Sequence, residues 1–236
     1  MTEPTQTAVV AGIGEGLGNA LGRQLAEAGY RVAGLARGTK AGEALLESLG
    51  ADRFLPIRCD LTDATQVGAA ISEVEDRFGP VSVYVHNAAR LHMQPFLETE
   101  PSELESLWRT VCLGAAHGAQ RVLPTMLERK QGALLFIGAT ASVKAGANFS
   151  AFGSAKFALR GLAQSLAREL GPQGIHVAHL IIDGVMWGDR ARDSFKMSKD
   201  RCLAPEAVAR TCMHLLEQDR SAWTHELDIR PDVENF

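Results

Sequence analysis

The chain has 236 residues, of which 46% are apolar and 22% charged, which is ordinary for a globular protein and excludes a disordered or fibrous one. Its net charge of −4 offers no basic surface for nucleic acid. No stretch approaches the roughly 18 uninterrupted apolar residues of a membrane helix. We therefore expect a small molecule as partner, and neither a nucleic acid nor a membrane.

The cysteines and the N-terminal sequence bear on the compartment. The 4 cysteines show no short paired spacing, and the N-terminal sequence lacks a signal-peptide pattern, so we expect a reducing, cytoplasmic compartment. No repeat, low-complexity run or Pro/Ser-rich linker divides the chain. We expect one domain over residues 1–236.

Short apolar runs alternate with longer amphipathic stretches along the chain. This alternation predicts a doubly wound, Rossmann-like α/β fold, a three-layer sandwich whose parallel sheet has about seven strands. Ligands of such a sheet bind beyond the carboxyl ends of its strands. The predicted strands are Thr7–Ala11, Arg31–Ala36, Phe54–Arg58, Val81–His86, Ala133–Gly138, Ile175–Ile182 and Glu226–Arg230. The predicted helices are Leu17–Ala28, Ala41–Leu49, Ala64–Phe78, Pro101–Arg129 with a kink or break at Pro124, Phe152–Leu170 and Pro205–Glu217.

A glycine-rich turn follows the first predicted strand and precedes a helix. The strict GxGxxG fingerprint is absent, and GxxxGxG stands in its place. Glycine lets the backbone turn sharply beside a ligand, and the free N–H groups at a helix start attract a pyrophosphate. The turn predicts a dinucleotide site, although a merely tight strand–helix connection would also use glycine. The residues of the predicted site are Gly12, Gly14, Glu15, Gly16, Leu17 and Gly18.

The corner after the second predicted strand bears on the choice between NAD and NADP. An acidic side chain there would bind the ribose 2′-hydroxyl of NAD, but the sequence has Leu35-Ala36-Arg37. Arg37 is suited to pair with the 2′-phosphate of NADP, although a solvated surface arginine has the same sequence pattern. Glu15 argues the other way, because a carboxylate repels a phosphate. On balance this corner favours NADP over NAD as cofactor.

Several segments together resemble the short-chain dehydrogenase/reductase family, over nearly the whole chain from Thr7 to Arg230. They are the glycine turn, Cys59-Asp60-Leu61, His86-Asn87-Ala88-Ala89, Lys156 and Asp183-Gly184. The resemblance implies that Asp60 holds the adenine and that Lys156 binds the nicotinamide ribose. It also implies a homodimer or homotetramer, with long helices paired between copies. The cofactor-binding residues implied beyond the glycine turn are Asp60, Leu61, Asn87, Ala88, Lys156, Gly184 and Val185.

The family's catalytic positions are largely replaced in this sequence. The family uses Asn, Ser, Tyr and Lys, and the corresponding residues here are Val111, Ala139, Phe152 and Lys156. The Phe-xxx-Lys pattern resembles a divergent subgroup of the family. Reduction of a carbonyl leaves an alkoxide that needs a hydrogen-bond donor and a proton, and phenylalanine supplies neither. These residues do not support ketone reduction by the family's usual mechanism.

Other polar residues join Lys156 as catalytic candidates. Thr140 and Ser142 follow the same predicted strand, and His92 lies in a loop that lines the substrate pocket in the family; its imidazole suits acid catalysis near neutral pH. Each also has an ordinary explanation as a turn residue or a solvated histidine. We expect no metal, because His176 and His179 face opposite sides of a strand without further ligands.

Two functions remain open at this stage. One is an NADP(H)-dependent oxidoreductase with a degenerate catalytic tetrad, acting on a small, largely apolar carbonyl, imine or activated alkene. The other is a catalytically inactive dinucleotide-binding protein that acts as a sensor or partner subunit. A charged segment, residues 188–203, is a candidate lid over the ligand. The residues expected to form an apolar substrate wall are Leu91, Met93, Phe96, Phe149, Met186 and Trp187.

Overall fold

The computed structural model describes residues 6–234, and within them strands and helices alternate as the sequence predicts. Seven parallel strands form one sheet in the order β3-β2-β1-β4-β5-β6-β7. The strands are β1 (Thr7–Ala11), β2 (Arg31–Ala36), β3 (Phe54–Arg58), β4 (Val81–His86), β5 (Gly132–Ile137), β6 (Ile175–Ile182) and β7 (Glu226–Ile229). The helices are α1 (Leu17–Glu27), α2 (Lys40–Leu49), α3 (Ala64–Phe78), α4 (Pro101–Trp108), α5 (Gly114–Arg129), α6 (Ser150–Leu170) and α7 (Pro205–Leu216).

The sheet is buried on both faces because helices cover each of them. Successive side chains of β1 point to opposite faces, as the two-residue period of a strand requires. Ala8 and Val10 pack in a cluster with α1, α2 and α7, whereas Val9 and Ala11 pack in a second cluster with α3, α5 and α6. The predicted three-layer, doubly wound α/β architecture is confirmed.

The strand order fixes where a ligand can enter. β1 has β2 on one side and β4 on the other, so the direction in which the chain builds the sheet reverses there. The connections on the two sides of such a switch point diverge and leave a crevice outside the carboxyl ends of the strands. No helix within residues 6–234 is long and apolar enough to cross a membrane.

The long helix predicted over residues 101–129 is interrupted, but not where the sequence suggests. A π-helical turn, Arg109–Leu113, separates α4 from α5. Helix α5 continues through Pro124 to its end, so a break at that proline is wrong. Pro124 and Gln120 are both exposed, and water can therefore hydrate the Gln120 carbonyl that the proline leaves without a helical partner.

The π-helical turn lies against a buried histidine of β4. His86 Nε2 is 3.2 Å from the Thr110 carbonyl, and its Nδ1 is 3.3 Å from the Tyr84 hydroxyl. Burial lowers the pKa of His86 to about 3, so the ring is neutral, donates through Nε2 and accepts at Nδ1. This histidine ties the end of β4 to the π-helical turn.

Candidate functional site

A cleft of about 1240 Å³ opens at the carboxyl edge of the sheet. Its walls come from the segments after β1, β2, β4, β5 and β6, and from one side of α6. It occupies the crevice that the strand order predicts. Its volume exceeds the roughly 300–1,000 Å³ of most small-ligand pockets, which leaves room for an elongated ligand.

The glycine turn forms one end of the cleft, and its glycines differ in what surrounds them. Gly12 has a φ of +103°, and a Cβ there would lie 2.6 Å from the Ala88 nitrogen. A Cβ on Gly18 would lie 2.4 Å from the Gly12 carbonyl oxygen, which also accepts a hydrogen bond of 2.8 Å from Asn87 Nδ2. Gly12 and Gly18 therefore allow β1, α1 and the end of β4 to pack closely.

Gly14 and Gly16 face open space. A Cβ on either would meet no heavy atom within 4 Å, although both residues line the cleft. Nothing in the protein packing requires glycine at these two positions. The lack of a side chain keeps this end of the cleft open beside the first turn of α1, which begins at Leu17, itself a lining residue.

The corner after β2 also lines the cleft. Arg37 is exposed there and has no ion-pair partner among residues 6–234. Glu15 stands on the wall formed by the glycine turn, and its carboxylate lies 3.9 Å from Lys40 Nζ at the surface. The ammonium offsets part of the repulsion that Glu15 would exert on a phosphate.

Asp60 lies outside the main cleft. Its carboxylate accepts hydrogen bonds of 2.9 Å from the backbone N–H and the hydroxyl of Thr62. It borders a separate depression of about 550 Å³ together with His117. Leu61 is buried, and its carbonyl is 3.1 Å from His117 Nδ1. The structure thus places Asp60 and Leu61 beside the cleft rather than on its wall.

Lys156 lies on the wall in the middle of the cleft and is only 3% exposed. Its ammonium donates a hydrogen bond of 2.6 Å to the carbonyl of Ile137, the last residue of β5. Its Nζ is 5.8 Å from the centre of the Phe152 ring, one helical turn earlier on α6. Burial lowers the pKa of Lys156 to about 8.

The three other residues that the sequence resemblance aligns with the family's catalytic positions are apolar. Phe152 and Ala139 line the cleft, and Val111 is buried in the π-helical turn. Phe152 packs against Phe149, with the ring centres 6.5 Å apart. None of these three side chains therefore offers a hydroxyl to the cleft.

The structure separates the three other proton-donor candidates. Thr140 lines the cleft. Ser142 is buried and accepts a hydrogen bond of 3.1 Å from the Ala139 N–H, so it closes a turn. His92 does not line the cleft and lies beside α4, with Nδ1 3.6 Å from the Glu103 carboxylate.

Thr140 is joined to two charged residues. Its hydroxyl donates a hydrogen bond of 2.6 Å to Asp183 Oδ1, and Asp183 Oδ2 is 3.3 Å from Arg230 Nη1. No local sequence pattern links these three residues. A signal was nevertheless present, because Thr140 and Asp183 follow predicted strands, Arg230 ends one, and the carboxyl ends of parallel strands meet at one edge.

Gly184 and Val185 line the cleft just after β6, as expected for ligand-binding residues. Gly184 has a φ of +149°, and a Cβ there would lie 2.9 Å from Pro231 Cδ. The C-terminal segment therefore packs closely on this turn. It continues to Glu234, which also lines the cleft and which sequence reasoning missed.

The far half of the cleft is largely apolar, with one change from the expected wall. Met93 and Phe96 are 55% and 68% exposed and do not line it. Their segment is fixed by a hydrogen bond of 2.9 Å from the Gln94 N–H to the Asn148 carbonyl and contains a short helical turn at Phe96–Glu98. Phe195, in the predicted lid, lines the cleft instead. The other apolar lining residues are Leu91, Phe149, Phe152, Met186 and Trp187.

The fold and the cleft define the class: a doubly wound α/β protein with an elongated ligand site at its switch point, closed at one end by a glycine turn. The sequence profile of the short chain dehydrogenase family matches residues 6–195. The chain belongs to this family.

Individual relatives agree with that assignment. The chain is 32% identical to a short-chain dehydrogenase from Rhodopseudomonas palustris, with a TM-score of 0.82 over 96% of this chain and 98% of that one. A metagenomic short-chain oxidoreductase solved in complex with NADP has the same fold at 24% identity (TM-score 0.83, 97% of this chain and 98% of that one). The chain is also 29% identical to glycine betaine reductase of Emericella nidulans, over 96% of its own length but only 19% of that much longer protein.

Proposed function

We propose that this short-chain dehydrogenase family member is an NADP(H)-dependent oxidoreductase acting on a small, largely apolar carbonyl, imine or activated alkene. The observation that carries the proposal is the position of Lys156. This buried cation lies in one continuous cleft, between the open glycine turn and an apolar pocket.

The residues at the glycine-turn end fit a dinucleotide. Gly14 and Gly16 leave space where a side chain would project, next to the first turn of a helix of 11 residues. Helix N-termini of this kind bind phosphates through their N–H groups and dipole. Arg37 would hold the 2′-phosphate of NADP in bidentate fashion, since no carboxylate competes for it. A related fold binds NADP in the metagenomic oxidoreductase, which supports this choice over NAD.

Lys156 would hold the ribose next to the nicotinamide. An ammonium carries three donors, and the Ile137 carbonyl takes one of them. The remaining two are available to hydroxyl groups of a ligand in the cleft. When bound, the nicotinamide supplies hydride transfer, and the chain's own residues orient the reactants and exclude water.

The apolar half of the cleft would receive the substrate. Phe149, Phe152 and Trp187 are aromatic, and Met186 and Leu91 add further apolar surface to the lining. Such a surface favours a small, largely apolar molecule and displaces water from the reacting atoms. Thr140 is the hydroxyl-bearing candidate at the edge of this pocket.

A second candidate function is dinucleotide binding without catalysis. It is favoured by the apolar character of Val111, Ala139 and Phe152, which removes three polar groups of the family's tetrad while the cofactor half of the cleft stays open. A sensor or partner subunit would need only that half.

Two measurements separate the candidates. Calorimetry with NADPH and NADH tests binding, and absorbance at the reduced-nicotinamide band tests turnover with a panel of ketones, cyclic imines and enones. Binding with turnover supports the oxidoreductase. Tight binding without turnover across the panel supports the second candidate, and the absence of any binding overturns both.

We also propose a homodimer or homotetramer in the cytoplasm. Trp108 on α4 and Phe157 on α6 are 43% and 44% exposed, so both helices present large apolar side chains that a second copy would cover. Light scattering on the purified chain tests this, and a monomer at micromolar concentration would contradict it.

A further inference from the structure

Three residues at the ends of three neighbouring strands form a connected polar chain beside the cleft. Thr140, Asp183 and Arg230 follow β5, β6 and β7. The Thr140 hydroxyl donates to Asp183 Oδ1 at 2.6 Å, and Asp183 Oδ2 is 3.3 Å from Arg230 Nη1. The Asp183 side chain is 7% exposed. Only Thr140 of the three lines the cleft.

We propose that Thr140 is the catalytic residue that moves the proton in this site, that Asp183 positions it, and that the substrate pair is an alcohol and its carbonyl compound. This inference rests on the proposed oxidoreductase function and selects one of its substrate classes. The hydroxyl is outside the family's tetrad, because Ala139 occupies the serine position next to it.

The direction of the hydrogen bond decides what Thr140 offers to a ligand. A hydroxyl has one proton and two lone pairs, and the Thr140 proton is held by Asp183. The oxygen therefore presents only acceptor capacity to the cleft. A distance of 2.6 Å is typical of an O–H group bound to a carboxylate, a strong hydrogen bond. A ligand that forms a hydrogen bond with the Thr140 oxygen must therefore donate it from an O–H group of its own.

The proton balance favours an alcohol over the other substrate classes. Hydride loss from an amine leaves an iminium ion, so no proton needs to leave a heteroatom in the same step. An activated alkene takes up its proton at carbon. Oxidation of an alcohol, in contrast, must remove the hydroxyl proton, and a hydroxyl already coupled to a carboxylate is suited to accept it.

The complete step balances in protons and electrons. The carbinol C–H bond breaks, and its electron pair leaves as hydride to an oxidised nicotinamide dinucleotide. The alcohol O–H proton passes to Thr140 Oγ1 while the Thr140 proton passes to Asp183 Oδ1. The carbon–oxygen bond becomes a carbonyl, and the carboxyl group later returns the proton to solvent. Reduction follows the same path in reverse.

Arg230 keeps the carboxylate in place between turnovers. Its guanidinium faces Asp183 on one side and donates a hydrogen bond of 2.6 Å from Nη2 to Asp228 Oδ2 on the other. A guanidinium stays charged at all ordinary pH values. The buried Asp183 carboxylate is therefore compensated and stays ionised between turnovers, so that it accepts the hydrogen bond from Thr140.

The test compares Thr140→Val, Thr140→Ser and Asp183→Asn with wild type and with Thr211→Val. Thr211 lies half-buried on α7, and its hydroxyl donates an exposed hydrogen bond to the Ala207 carbonyl, so its variant controls for the loss of a threonine hydroxyl elsewhere. Each protein is assayed for oxidation of 1-phenylethanol with NADP⁺, reduction of acetophenone, and reduction of 2-methyl-1-pyrroline with NADPH. Calorimetry with NADPH and thermal unfolding check binding and folding.

The expected result is a loss of about 100-fold in kcat/KM for the alcohol in Thr140→Val, in the range typical for loss of a general acid–base group. Thr140→Ser should stay within about tenfold of wild type, because it keeps the hydroxyl. Asp183→Asn should lower kcat and change the solvent deuterium isotope effect while KM stays nearly constant. NADPH affinity should be unchanged in all variants, and Thr211→Val should keep every activity of wild type.

Two outcomes would overturn the proton transfer through Thr140 and Asp183, here called the relay, but not the oxidoreductase function. In the first, wild type reduces the imine but neither oxidises the alcohol nor reduces the ketone. In the second, Thr140→Val oxidises the alcohol as fast as wild type does, with an unchanged solvent isotope effect. NADPH binding with no turnover of any probe by wild type would instead overturn the proposed function, and the relay with it.

Discussion

The ammonium of Lys156 donates a 2.6 Å hydrogen bond to the carbonyl of Ile137 at the end of β5, inside the cleft and almost out of contact with solvent. The pair joins α6 to the edge of the sheet at the point where the glycine turn and the apolar pocket meet. A charged group held there with no carboxylate partner among residues 6–234 has consequences for stability as well as for binding.

The buried lysine should make the free energy of unfolding rise with pH. Burial lowers its pKa to about 8 from 10.5, so between these values the unfolded chain binds more protons than the folded one. The contribution of Lys156 to the free energy of unfolding is therefore lowest below pH 8 and rises as the pH approaches 10.5. At roughly 1.4 kcal/mol per pKa unit, the total rise is up to about 3 kcal/mol.

Denaturant unfolding of wild type and Lys156→Met at pH 7.5, 9 and 10 measures this. The difference between the two proteins isolates the lysine, because thiols such as Cys59, whose pKa burial raises to about 11, titrate in both. We expect Lys156→Met to be the more stable protein at pH 7.5 and the advantage to shrink at pH 10. A difference independent of pH would show that the lysine is hydrated.

The four glycines of the turn should divide into two classes on substitution by alanine. Gly18→Ala should destabilise the protein by several kcal/mol, because its Cβ would lie 2.4 Å from the Gly12 carbonyl oxygen. Gly16→Ala meets no protein atom within 4 Å and should fold normally, yet its methyl group projects into the cleft. Thermal unfolding and NADPH calorimetry on both variants check this, and Gly16→Ala with wild-type affinity would remove the turn from the cofactor site.

Arg37→Ala should weaken NADPH binding more than NADH binding. A charge-assisted bidentate pair with the 2′-phosphate contributes roughly 1.5–3 kcal/mol, so we expect about a 10- to 100-fold rise in Kd for NADPH and little change for NADH. Arg210→Ala on the exposed face of α7 is the matched control. An equal rise in Kd for both nucleotides would show that Arg37 does not bind the 2′-phosphate.

Phe152→Tyr should raise the rate of ketone reduction by about 10- to 100-fold, because it adds a hydrogen-bond donor and a proton source. The new hydroxyl would lie on a ring whose centre is 5.8 Å from the Lys156 Nζ. Phe157→Tyr on the same helix points to the surface and adds a hydroxyl without reaching the cleft. NADPH oxidation with acetophenone measures both. Unchanged activity in Phe152→Tyr, with NADPH affinity retained, would mean that the missing hydroxyl does not limit the reaction.

Much of the fold and the outline of the site could be predicted from sequence. The apolar period of two in strands and of 3.6 in helices is a local property of the sequence, so it predicts the elements. Parallel strands end at one edge of the sheet, which predicts that the residues after them share a cleft; these include the glycine turn, Asn87, Thr140 and Gly184. The loops were less predictable. Met93 and Phe96 lie in a loop without a helix or strand period, so the sequence could not show that their side chains are exposed.

The sequence by itself determined the order of strands and helices, because residue type and spacing are local properties. It also predicts, through the resemblance to the family, that three catalytic positions carry no polar side chain. The tertiary structure decided which of the two candidate hydroxyls after β5 reaches the cleft. Thr140 and Ser142 are two residues apart, yet one meets Asp183 across two strand ends and the other closes its own turn. Side-chain direction in a turn, and the burial that lowers the pKa of Lys156, arise only when distant segments pack together.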